Sequence, residues 1–247
     1  MIVAVSIQKG GTGKTTTAAA LAQAGAFKRR KVLAVDLDPQ ANLSFALGAD
    51  TGKAGSYEVL TGEKAAADVM QKTAAGVYVI AASWSLSTIT GSRGSARRLQ
   101  NALEPIKDSF DLIVIDTPPT AGELQYNALQ AAERLVIPLE ADIYNLQSLY
   151  QITEAARQIQ ATNSALKIAG FIFTKYDNRS TLARQISETI QGQAANIGVP
   201  FLGAIRNAIA VKEAAALQRS LYEYAPNSKP AADYLEVYNK LYRSRNK

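Results

Sequence analysis

Nine residues near the amino terminus, Gln8-Lys9-Gly10-Gly11-Thr12-Gly13-Lys14-Thr15-Thr16, bring together three glycines, two lysines and a run of hydroxyls just before Ala18-Ala19-Ala20-Leu21-Ala22, a helix-forming stretch. Glycine lets backbone N–H groups turn inward on an anion, a helix N-terminus adds partial positive charge, and a lysine adds a full one. The chemistry this favours is capture of a phosphate chain. Lys14 would lie on the phosphates, Thr15 would ligate Mg²⁺, and Gly10, Gly11, Thr12, Gly13 and Thr16 would complete the cradle.

Two acidic positions fit the same chemistry. An apolar run ends in Val35-Asp36-Leu37-Asp38-Pro39-Gln40, and another, Leu112–Ile115, ends in Asp116-Thr117-Pro118-Pro119. In a parallel sheet both would emerge at the edge that carries the glycine loop. A hydrated Mg²⁺ bridging β- and γ-phosphates needs few protein oxygens, and Asp116 stands where one carboxylate holds its waters. Either aspartate alone could cap a turn. Two of them, each after an apolar strand and paired with a phosphate loop, favour the metal role.

Elements must deliver these groups to one edge. Near-continuous apolar runs at Ile2–Ile7, Val32–Val35, Val77–Ile80, Leu112–Ile115, Leu135–Leu139 and Ile168–Phe173 read as strands buried on both faces. The helix-like segments between them include Lys14–Phe27, Ser95–Lys107, Leu146–Gln160 and Leu182–Asn196. Strand then helix, repeated, implies parallel strands with right-handed crossovers: an α/β, doubly wound, mostly parallel sheet flanked by helices, the P-loop NTPase architecture. With no long linker or repeat, residues 1–247 are expected to form one domain, closed by a helix over about 230–243 and a basic tail. In that helix Tyr234, Val237, Tyr238 and Leu241 recur at helical spacing.

The chain has no cysteine and no histidine, which excludes thiol nucleophiles, iron–sulfur ligation, disulfides and the usual zinc sites. It shows no signal-peptide pattern and no apolar run long enough to span a membrane. A formal charge of +6 makes a polyanion partner plausible, although solubility alone would explain it equally well.

The loop departs from the usual pattern, because Gln8 stands where glycine normally opens it and Lys9 is additional. In this the chain resembles the deviant Walker A group, and more specifically the small ParA/Soj-like ATPases of the ParA/MinD superfamily. That resemblance rests on the loop, on Asp36-Leu37-Asp38-Pro39-Gln40-Ala41-Asn42-Leu43, on Asp116-Thr117-Pro118-Pro119, on residues 174–180 and on Ile205-Arg206-Asn207. It implies an ATPase using ATP and Mg²⁺. Lys9 would reach across a homodimer to the partner's nucleotide, so that Lys9, Lys14 and Asp38 are catalytic, with Asp38 orienting the attacking water and joining Thr15 and Asp116 at the metal. Thr174 and Asn207 would lie near the adenine. Non-specific double-stranded DNA would meet Arg179 and Arg206, and Ile209 stands where a further arginine is expected. Lys212, Arg219, Arg243, Arg245 and Lys247 are candidate replacements.

The resemblance further implies a homodimer formed on ATP binding, a ParB-like centromere-binding partner, and a cytoplasmic, nucleoid-associated protein with no membrane contact. No N-terminal helix-turn-helix, and hence no operator repression, is expected. Two alternatives belong to other classes. One is a MinD-like positioning ATPase using its C-terminal stripe on a membrane, which the acidic Asp233 and Glu236 disfavour. The other is a dethiobiotin-synthetase-like ATP-dependent ligase, which would lack the Asp38-Pro39-Gln40 segment.

Overall fold

Valine, isoleucine and leucine without polar alternation suit strands covered on both faces, and the computed structural model, which describes residues 1–91, 95–177 and 179–243, has them there. The strands are β1 (Ile2–Val5), β2 (Val32–Asp36), β3 (Gln71–Lys72), β4 (Tyr78–Ile80), β5 (Leu112–Asp116), β6 (Arg134–Leu139), β7 (Lys167–Tyr176) and β8 (Phe201–Arg206). They form one sheet in the order β3-β4-β2-β5-β1-β6-β7-β8, parallel throughout except where β3 runs against β4.

The helices are α1 (Lys14–Phe27), α2 (Asn42–Ala46), α3 (Ser56–Thr61), α4 (Ala66–Val69), α5 (Arg98–Leu103), α6 (Glu123–Ala131), α7 (Asn145–Gln160), α8 (Thr181–Asn196), α9 (Ile209–Ala216), α10 (Leu221–Tyr224) and α11 (Lys229–Arg243). Alternate residues of β1 feed two cores: Val3 and Val5 pack with α1 and α11, while Ile2 and Ala4 face the layer holding Leu99, Leu129, Leu149 and Ile190. The sheet is therefore wound on both faces.

Two expectations from the sequence need correction. The segment Ser95–Lys107 is not one helix: a short 3₁₀ turn leads into α5, which stops at Leu103 because Pro105 cannot continue it. β1 ends at Val5 rather than Ile7, which frees Ser6 and Ile7 to lead into the glycine loop. Two strands lacked a sequence signal. β8 has its apolar run diluted by Gly203 and Ala204 at the sheet edge, and β3 is only two polar residues long.

The apolar stripe of α11 is inside the protein. Tyr234, Val237, Tyr238 and Leu241 are all buried, and the Tyr234 hydroxyl lies 3.3 Å from Thr17 Oγ1 on α1. This removes the surface on which a membrane-binding reading of that helix depended. Among the described residues no helix is long and apolar enough to cross a bilayer. Of the basic tail, Arg245 and Lys247 lie outside the described residues.

Candidate functional site

The register of the sheet sets the site before any side chain does. Val5 of β1 pairs with Asp116 of β5, and Asp36 of β2 pairs with the same Asp116, so two carboxylates and the start of the glycine loop meet at one edge. Between β1 and α1 the chain turns tightly, with φ of 75° at Gly11 and 83° at Gly13. A Cβ on Gly13 would also stand 3.3 Å from Thr174 Cγ2, so space is tight there and the backbone conformation favours glycine.

Side chains hold the loop from below and from one side. The buried Thr174 hydroxyl donates to the Thr12 carbonyl at 2.8 Å. Lys175, itself at a left-handed φ of 52°, donates to the Gly11 carbonyl at 2.7 Å and to Glu140 Oε1 at 2.6 Å. Lys14 is buried and donates to the Lys9 carbonyl at 2.6 Å. Burial pulls its pKa below the usual lysine value, while Asp116 and Asp38 oppose that shift.

Carboxylates occupy the opposite wall. Asp36 is fully buried and accepts from Ser44 N at 2.8 Å, Ser44 Oγ at 2.7 Å and Asp38 N at 3.0 Å. Ser44 Oγ in turn accepts from Ala82 N at 2.9 Å, so one carboxyl ties β2, α2 and the end of β4 together and fixes the backbone of Asp38. Burial raises the Asp36 pKa to about 6 against the bonds from Ser44, which favour its charged form. Asp116 is pushed well above the carboxylate range by burial first and by Asp36 second. A hydrogen bond from Thr15 pulls it back, and its Oδ2 is buried without a hydrogen-bond partner.

That orphaned oxygen, beside crowded buried acids and the Thr15 hydroxyl, fits a bound cation, which would relieve the repulsion. Among the described residues no group of three or more acidic side chains forms a metal cage, as suits an ion that takes most of its ligands from phosphate and water.

Between the loop and the far helices lies a cleft of about 590 Å³. Gly10, Gly11, Gly13, Lys14, Thr15, Thr16, Asp38, Pro119 and Lys175 line its phosphate end, and it continues along α1 between Phe45 of α2 and Val211 and Ala215 of α9. The sequence carries no signal for this second half, because its walls are mostly alanines with a few larger residues such as Phe45, Val211 and Leu221 on α1 and short helices. It gives none for Lys175, Glu140 and the Ser44 clasp either, whose roles come only from non-local contacts.

Other anticipated residues fall elsewhere. Thr12 and Thr174 lie under the loop rather than in the cleft, and Asn207 is exposed outside its walls. Lys9 sits on the rim, its side chain 33% exposed and 3.9 Å from Asp142. Arg179 is chelated by Asp177 at 3.0 and 3.1 Å, while Nε of Arg206 donates to Asp233 at 2.9 Å. Arg219 lines the cleft over the ring of Tyr224, whereas Lys212 and Ile209 are exposed on α9.

A strand, a glycine turn, a buried lysine at a helix N-terminus and an aspartate on the adjacent strand define a P-loop nucleoside triphosphatase. A family model described as an AAA domain matches residues 1–168. The chain is 33% identical to the chromosome partitioning protein ParA of Myxococcus xanthus over 97% of this chain and 87% of that one. To the sporulation initiation inhibitor protein Soj of Bacillus subtilis it is 32% identical over 96% of both. A structure of cobyrinic acid a,c-diamide synthase from Mycobacterium smegmatis, with bound ATP analogue and magnesium, superposes with a TM-score of 0.86 at 30% identity, covering 100% of this chain and 96% of that one. The chain belongs to the ParA/Soj family of the ParA/MinD superfamily of ATPases.

Proposed function

We propose that this partition ATPase works as an ATP-bridged homodimer that grips double-stranded DNA without sequence preference and moves a plasmid or chromosomal cargo with a ParB-like partner. The observation that carries the reading is the position of Lys9. It belongs to the phosphate loop yet does not line its own cleft, and among the described residues its side chain's one partner is a half-exposed carboxylate at the limit of ion-pair range. An exposed pair of this kind holds a side chain weakly. Lys9 is therefore available to a nucleotide on a second subunit placed face to face.

In this scheme Lys14 leaves the Lys9 carbonyl to meet the β- and γ-phosphates, and the backbone N–H groups of Gly11 to Thr16 hold the chain between them. Thr15, Asp38 and Asp116 would hold Mg²⁺, which when bound neutralises charge on the phosphates. Asp38, whose backbone the Asp36 clasp positions, accepts a hydrogen bond from the attacking water. Thr174 braces the loop from beneath, and an adenine contact for Asn207 would need that exposed side chain to turn toward the cleft. Hydrolysis removes from each nucleotide the γ-phosphate that the partner subunit's Lys9 holds, so the dimer parts and the grip on DNA weakens. Arg179, Arg206, Lys212 and Arg219 give this DNA reading only limited support, since three of them are already engaged within the chain.

Duplex DNA of unrelated sequences should bind with a non-hydrolysable ATP analogue and poorly with ADP, with affinity falling steeply as salt is added. Arg179→Glu should weaken every sequence alike, because phosphate contacts carry no base information. Likeness to a diamide synthase favours a second reading, an ATP-dependent ligase. ATP consumption that requires a small carboxylic substrate, with no DNA binding, would establish that reading instead.

A further inference from the structure

Strong positive charge also lies where neither the phosphate loop nor Lys9 uses it. The turn from α1 to β2 is Lys28-Arg29-Arg30-Lys31, four consecutive basic residues, all exposed. Backbone bonds from Lys28 N to Ala24 O (3.0 Å), Arg29 N to Ala26 O (2.8 Å) and Arg30 N to Gly25 O (3.0 Å) close the helix, and Arg29 takes a left-handed φ of 57°. Glycine or asparagine is the unstrained choice for such a position, and arginine stands there instead.

Surrounding aromatic rings hold the basic side chains in place. Arg30 lies 5.7 Å from the ring centre of Tyr242, Lys31 lies 4.9 Å from that of Phe110, and Lys72 lies 5.9 Å from that of Tyr78. Of the acids on this edge, Asp111 is 3.6 Å from Arg30, Asp108 and Glu133 line a groove shared with Lys31, and Glu223 lies beside Phe27 in the neighbouring groove. Among the described residues the Arg29 guanidinium has no partner, and Lys28 meets only the ring of Phe27. Charge-pairing groups that could meet DNA are thus freer here than at Arg179 and Arg206, whose charges are already matched.

We infer that the α1–β2 turn is a second, nucleotide-independent contact for the phosphates of duplex DNA, an inference that rests on DNA being the cargo surface. The turn sits at the starting edge of the strands, whereas the phosphate loop sits at their finishing edge, about 13–17 Å away along strands of four or five residues. A dimer joined through the loops leaves both turns exposed, so the contact is present in every nucleotide state. A lipid surface fits less well. The turn offers a single exposed aromatic, Phe27, which is stacked on Tyr222, and the apolar side of α11 is buried.

The test compares wild type with a Lys28→Glu/Arg29→Asn double variant, asparagine being able to keep the left-handed conformation. Affinity for random-sequence duplex DNA is measured with ADP and with a non-hydrolysable ATP analogue across a salt series, beside ATPase activity and nucleotide-induced dimer mass. Wild type should show weak, salt-sensitive binding with ADP. The variant should lose about tenfold in affinity at low salt in both nucleotide states, and its salt slope should fall by about two, one for each lost phosphate contact, with ATPase activity and dimerisation retained. Should that variant lose ATPase activity, Lys28→Gln/Arg29→Gly removes the same charges without adding an acid, and it carries the test. Equal affinities for wild type and variant, no wild-type binding with ADP, or capture of phosphatidylserine vesicles in place of DNA would each overturn the inference. Wild type that binds DNA in no nucleotide state would sink the cargo reading itself.

Discussion

In the proposed scheme Lys14 and Asp38 divide the work of the site, one binding nucleotide and the other turning it over. Lys14→Ala should abolish ATP binding in a fluorescent-nucleotide titration, since it removes the buried cation at the helix N-terminus of the glycine loop. Asp38→Ala should keep binding and dimerisation while lowering turnover by at least about a hundredfold, the usual scale for removing a group that handles the attacking water. Normal turnover in that variant would move the role elsewhere, with Asp36 barred by its three hydrogen bonds. Lys175→Met should raise KM for ATP by about fivefold and leave kcat unchanged, because a half-exposed lysine that braces the loop contributes on the order of 1 kcal/mol.

These residues were unequally legible in the sequence. Lys14, Thr15 and Asp116 announce themselves because their neighbours in sequence are also their neighbours in the site. Lys175 and Glu140 are brought together by the pairing of β6 with β7, and the Ser44 clasp by α2 folding back on β2. No local pattern records such contacts.

At the scale of elements, α1 must both aim the loop and pack tightly on the sheet. Gly25 is where it comes closest: a Cβ there would stand 2.7 Å from Val32 Cγ2 and 3.3 Å from Leu112 Cδ2. Gly25→Ala should therefore cost about 1–3 kcal/mol in denaturant unfolding, the range for overpacking, against the gain of a few tenths to one that alanine gives in an open helix. A stabilised variant would mean that α1 can slide on the sheet. The buried strands were readable as apolar runs, and α1, α7 and α8 as periodic ones. The edge strands β3 and β8 and the short α2 and α9 were not, since small or polar residues carry no period over so few positions, yet α2 and α9 build half the cleft.

For the whole molecule, one edge of the sheet gathers buried, poorly compensated charge, with Asp36 and Asp116 raised by burial and Lys14 lowered by it. Such an edge is unfavourable when empty and becomes favourable when a phosphate chain and its cation arrive. Saturating ATP analogue with Mg²⁺ should raise the melting temperature well above that of the free protein, and chelating the metal should remove most of the gain. In the proposed dimer the same logic extends to a second subunit, because Lys9, held by Asp142 at 3.9 Å, would find a better anion in a partner's nucleotide. Light scattering on wild type and Lys9→Ala, each with a non-hydrolysable ATP analogue and with ADP, tests that step most directly. Wild type should double in mass with the analogue only, and Lys9→Ala should bind the analogue yet remain a monomer; a variant that dimerises as wild type does would contradict the ATP-bridged dimer at the centre of this account.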